Sequence, residues 1–190
     1  MRHLLATTAL VMLAACNGGE PAQEEAVNAT PGNVAMANAS SEQATEAAQQ
    51  NNPMLPGLWE QKTEITSLTV IGVPDNMRQA IEQNTRQLGD LTSRQCFDKE
   101  QAAKGGLDAM ISSGGSCTYD RLNMSGGEMD VAFHCSTPQQ DEVTGTITGT
   151  SGPESSDVTL ESQTRMGAID GGLIGMEMHI TKKRIGDCPE

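Results

Sequence analysis

The chain has 190 residues, of which 36% are hydrophobic and only 2% aromatic, and it carries a net charge of -13. That length allows one ordinary domain with appendages, and a core so short of aromatics must rest on Val, Ile, Leu and the 11 Met. The charge excludes nucleic acid as a partner, since phosphate contacts need clustered Lys and Arg, and it disfavours electrostatic docking on anionic lipid.

Met1-Arg2-His3 is a short basic start, and residues 4–15 are an apolar stretch that ends in small residues. Such a run is too short to span a bilayer and reads as a secretory signal. Leu13-Ala14-Ala15-Cys16 resembles the lipobox of bacterial lipoproteins, in which the signal is cut before the cysteine. The resemblance implies that residues 1–15 are removed and that Cys16 carries a diacylglycerol on its sulfur and an acyl chain on its new amine. Two or more chains make such an anchor stable. The expectation is therefore a protein fixed to a cell-envelope membrane and facing the periplasm. Asn17, where the enteric sorting rule places Asp for inner-membrane retention, points to the outer membrane.

Residues 16–52 are predicted to be the lipidated Cys16 followed by a disordered acidic tether. "NGGEPAQEEAVNATPGNVAMANASSEQATEAAQQNN" has five Glu, no Lys or Arg and no aromatic, and too little apolar surface to offset chain entropy. As a coil it would reach about 30–36 Å. An Ala- and Gln-rich helix over residues 41–50 is the alternative, favoured only if something packs against it.

The domain is placed at residues 53–190. Residues 56–72 are rich in Thr, Ile and Val and read as a strand. The period then changes: Met77, Ala80, Ile81, Thr85 and Leu88 share one helical face, with Pro74 at the start and Gly89 at the stop. Asp98 can cap a second, shorter helix to about Ala103. Beyond Gly115, turn signals at Gly126-Gly127, Pro138, Gly152-Pro153 and Gly171-Gly172 separate short alternating segments. Met129, Val131, Phe133 and Cys135 oppose Asp130, Ala132 and His134. Met176, Met178 and Ile180 oppose Glu177, His179 and Thr181. This is the pattern of an antiparallel meander. The predicted class is α+β: about six strands in a curved sheet or small barrel, with a helical insertion after the first strand and two disulfides.

Cys96, Cys117, Cys135 and Cys188 remain once Cys16 is lipidated, an even number in an exported chain. Three connectivities are possible. The Gly126 turn lies midway between Cys117 and Cys135, which sets them opposite one another on a hairpin and leaves Cys96 to Cys188. No CxxC knuckle is present, so neither a zinc site nor a redox pair is predicted.

"PGLWE" after a tether, "RQCFDKE", two mid-chain cysteines on adjacent strands and "RIGDC" near the end together resemble domain of unknown function family 3617. Those are small secreted or lipidated proteins of proteobacteria. The resemblance implies an envelope location and transfers no catalytic or ligand-binding residue.

No hydrolase elbow, zinc-protease motif, phosphate loop or calcium loop occurs, so no catalytic residue and no cofactor are assigned. His134 and His179 fall on the polar side of their strands and read as solvated. Met176, Met178 and His179 are soft ligands that could suit Cu(I), but the strand pleat sends His179 to the other face. Gly145 and Gly149 share the apolar side with Val143 and Ile147 and leave room, for a helix or for a ligand. Trp59 reads as a core anchor. The function expected is a non-catalytic protein-interaction module in the envelope, the alternative being binding of a small apolar ligand or lipid in the curved sheet.

Overall fold

The computed structural model describes residues 33–51, 53–89, 91–103, 116–138 and 141–189. Nine strands form one antiparallel sheet. They are β1 (Asn33–Met36), β2 (Ala39–Ser40), β3 (Gly57–Ile71), β4 (Leu91–Phe97), β5 (Ser116–Ser125), β6 (Glu128–Ser136), β7 (Glu142–Ser151), β8 (Ser155–Arg165) and β9 (Leu173–Gly186). Their spatial order is β1-β5-β6-β7-β8-β9-β3-β4, and β2 also pairs with β5. The helices are α1 (Ser41–Asn51), α2 (Asp75–Leu88) and α3 (Lys99–Ala103).

The five strands read beyond Gly115 are β5 to β9, and the strand read at 56–72 is β3. Each neighbour in β5 to β9 follows the last in sequence, joined by connections of two to seven residues. Gly126 and Gly127, both at positive φ, form the two-residue loop between β5 and β6, the geometry that matches strand twist. Asp98 Oδ1 accepts from the Gln101 amide at 2.8 Å while Gln101 Oε1 accepts from the Asp98 amide at 3.1 Å. This reciprocal cap starts α3.

Two expectations are corrected. The sheet has nine strands rather than about six, and it is open, with β1 and β4 as its edges. Residues 33–51 are not part of a disordered tether. Ser40 and Gln43 cap one another at 2.9 and 3.3 Å to start α1. Ala44, Ala47 and Ala48 are then buried against the sheet beside Tyr119, Leu122 and Met124. Alanine methyls contribute little to average hydrophobicity, yet their size lets the helix sit close to β5. The partner that favours this helix is the domain's own sheet. Residues 1–32, Cys16 among them, lie outside the described residues.

One face of the sheet, here the inner face, carries the core. Val131, Ile147, Leu160 and Met178 form one cross-strand row; Met129, Gly149, Val158 and Ile180 form the next. Met124 and Met129 are buried where a larger core would use aromatics. The Phe133 ring lies over Gly145, where a Cβ would come within 2.7 Å of Phe133 Cζ and 2.5 Å of the Glu161 carbonyl oxygen. Gly145→Ala is therefore expected to lower stability by about 1–3 kcal/mol, the usual range for overpacking, read as a lower urea midpoint. An unchanged midpoint would mean that Phe133 does not occupy that space.

Candidate functional site

Residues far apart in sequence converge at one end of the sheet, where β9, β3 and β4 lie side by side. β3 opens with "PGLWE". Trp59 is 2% exposed, and its Nε1 donates to the Leu55 carbonyl at 3.0 Å. Arg184 on β9 donates from Nε to the Pro56 carbonyl at 2.8 Å and pairs with Asp187. Its side chain crosses Gly57, where φ is 144° and a Cβ would come within 2.6 Å of Arg184 Nε. Only glycine meets both demands.

On the other side of β3, Glu60 Oε2 accepts two hydrogen bonds from Arg94, at 2.9 Å from Nε and 2.8 Å from the terminal nitrogen. The Cys96–Cys188 disulfide completes the corner. Leu58 pairs with Cys96 on one side and Gly186 on the other, so this bond fastens the two strands that flank β3. "PGLWE", "RQCF" and "RIGDC" are thus parts of one clamp.

A family model described as protein of unknown function (DUF3617) matches residues 54–188. The chain belongs to this family. The stretch matched by DUF3617 begins after α1 ends, although β1, β2 and α1 close its core. No curated protein and no solved structure matches the chain.

The remaining predicted residues are dispersed. Cys117 and Cys135 form the second disulfide as directly opposed residues of β5 and β6, with Cα atoms 4.0 Å apart. His134 Nδ1 is 2.8 Å from Asp120 and His179 Nε2 is 2.7 Å from Asp157, each an exposed pair on the outer face. These carboxylate partners come from neighbouring strands. Met176 and Met178 lie on the inner face, opposite to His179. Among the described residues no group of three or more His, Cys, Asp or Glu could hold a metal, and no helix is long and apolar enough to cross a membrane.

The outer face carries an open groove of about 500 Å³ lined by Ala132, Thr146, Glu161, Gly175 and Glu177. Glu161 stands directly opposite Glu177 there, a like-charge pair that weakens the sheet slightly.

The inner face holds the residue that sequence reading passed over. Lys182 is 8% exposed and is the buried charged residue of the core face. Burial pushes its ammonium pKa down from the ordinary lysine value. Among the described residues no buried side-chain nitrogen or oxygen lacks a hydrogen-bond partner, so its ammonium reaches solvent while the alkyl stem is buried. Its cross-strand neighbours are Ser156 on β8 and Gln61 on β3.

Proposed function

We propose that the chain is a lipid-anchored envelope protein facing the periplasm, held by acyl chains on Cys16. Its domain is a non-catalytic protein-interaction module that takes an extended segment of another envelope protein along β4. The observation that carries this reading is the character of that edge. Leu91 to Cys96 are all exposed and Phe97 is half-buried, and among the described residues no strand pairs with the outer side of β4. Native edges are commonly blunted by proline, inward charge or short length. β4 has no proline, its one charge is engaged by Glu60, and β1 at the other edge has only four residues. The disulfide and the Arg94 pair hold β4 in place before any partner arrives, which lowers the ordering cost of strand addition.

The test is a photoreactive amino acid placed in the cell at Thr92 on β4 or at Thr148 on the outer face of β7. An adduct of one discrete mass is expected from Thr92 and not from Thr148. No adduct at Thr92, or equal yield at both positions, would sink the proposal.

A second reading, a small apolar ligand or lipid on the curved sheet, is favoured by the half-covered inner face of β9 and β3. Ile174, Met176, Met178, Ile65 and Leu68 are only half-buried there, and among the described side chains of α2 none is buried. The C-terminal end of α2 reaches this strip: a Cβ at Gly89 would lie 3.8 Å from Ile65 Cδ1.

A further inference from the structure

The two disulfides stand in opposite surroundings. Cys135 is 2% exposed, and Cys117 packs against the same core cluster. The strands that carry them, β5 and β6, each have a neighbour on both sides. Ser41 at the start of α1 also donates to the Cys117 carbonyl at 3.2 Å. Cys96, by contrast, is exposed, on a strand paired on one side only. It follows Gln95, which stands opposite buried Trp59, so its side chain falls on the outer face, away from the core. Its partner Cys188 lies beyond the end of β9 and is half-buried.

Thiol–disulfide exchange needs a thiolate to reach a sulfur, so access decides which bond is attacked first. At Cys96 that approach requires no movement of the core. At Cys135 part of the core must open, and edges open before interiors. The product is also accommodated. Cys188 Sγ lies 3.9 Å from the Phe97 carbonyl oxygen, where a thiol, unlike a disulfide sulfur, can donate a weak hydrogen bond. No side chain of β4 belongs to the buried core, so the core rows of β6 to β9 stay in place when β4 loosens.

We infer that the Cys96–Cys188 bond is a thiol–disulfide exchange site, the substrate of a dithiol in the envelope. One thiolate of the dithiol attacks Cys96 Sγ. A bond forms between those sulfurs, the Cys96–Cys188 bond breaks, and Cys188 leaves as a thiolate that takes up a proton. The other thiolate of the dithiol then attacks its own partner sulfur in the mixed disulfide and expels Cys96, which is protonated in turn. The dithiol is oxidised to a disulfide, and the two cysteines gain the electrons and protons that it gives up. Reduction frees β4 from the end of β9, and oxidation fastens it again. The effect on a partner rests on the reading of β4 as a template for strand addition; the exchange chemistry does not.

The test uses the full lipidated chain in its membrane, dithiothreitol as the dithiol, and N-ethylmaleimide to trap free thiols at intervals. Cys96 and Cys188 are expected to be trapped together, about tenfold faster or more than Cys117 and Cys135. An opening free energy of about 1.4 kcal/mol for the core already supplies that factor. Their rate is expected to rise in proportion to dithiothreitol and to ignore urea well below the global transition. In the chain so reduced, amides of β4 are expected to exchange faster while those of β6 and β7 hold, and the Thr92 crosslink to fall. All four cysteines trapped at one rate, Cys117 and Cys135 trapped first, or trapping that follows the global urea transition would overturn the exchange site. Selective trapping with β4 amides unchanged would overturn the release of β4. Selective trapping with no Thr92 adduct even from the oxidised chain would sink strand addition and uphold the exchange site.

Discussion

A chain shortened to begin at Pro53 is expected to lose cooperative unfolding and to bind an apolar dye, although it keeps the whole stretch that the family model matches. The shortened chain lacks β1 and β2, which pair with β5, and lacks α1. β5 then becomes an edge. Tyr119, Leu122 and Met124, now at most 4% exposed, lose the alanine face that covers them. Fully exposing one such side chain costs about 1.5–3 kcal/mol, and three of them rival the about 5–15 kcal/mol that holds a domain folded. A point variant separates packing from chain length. Ala44 is 0% exposed, so Ala44→Asp puts an unpaired carboxylate under the helix and is expected to cost about 3–5 kcal/mol. Glu46 on the exposed side of α1 is the control, and Glu46→Ala is expected to stay within about 0.5 kcal/mol. Urea midpoints decide the matter: Ala44→Asp melting with the parent would mean that α1 does not cover the core.

Why that cover escaped sequence reading has a physical answer. Composition averages over a segment, and residues 17–52 average as polar and acidic. The informative features were local: the Ser40-x-x-Gln43 cap and alanines at 44, 47 and 48 on one helical face. β4 escaped for another reason. A strand exposed on both faces has no burial to impose alternation, so "LTSRQCF" shows none. The meander was legible because its strands are buried on one side only. The placement of Cys117 and Cys135 about the Gly126-Gly127 turn was legible, but the two-residue turn alone would set Cys117 opposite Ser136, and the register shift between Tyr119 and Arg121 brings Cys135 there instead. Lys182 was legible in principle. It continues the alternation Met176, Met178, Ile180 on the apolar side, where a charge is out of place. The clamp was not legible, because Arg184 meets Pro56, and Arg94 meets Glu60, only through a register between distant strands.

Replacing Cys96 and Cys188 together by serine is expected to cost more than replacing Cys117 and Cys135. Loop-closure entropy alone puts the two losses at about 4–5 and about 3 kcal/mol, since the bonds close separations of 92 and 18 residues. Structure widens the difference. Cys117 and Cys135 face each other on a hairpin whose turn and ladder already bring them together. Cys96 belongs to an edge strand with almost no buried side chain, joined to the sheet on one side only, and such elements open first. Without its bond to Cys188, β4 retains the ladder to β3 and the exposed Arg94–Glu60 pair, which is worth little in water. Amide exchange in β4 is therefore expected to accelerate more than in β6 or β7, at urea concentrations well below the global transition. That local measurement separates two accounts of the same loss in stability. If β4 exchanges no faster than the rest, the disulfide acts only on the unfolded chain. If β4 alone opens, the bond holds the edge, and the Thr92 crosslink should fall with it because a frayed strand offers no template for strand addition.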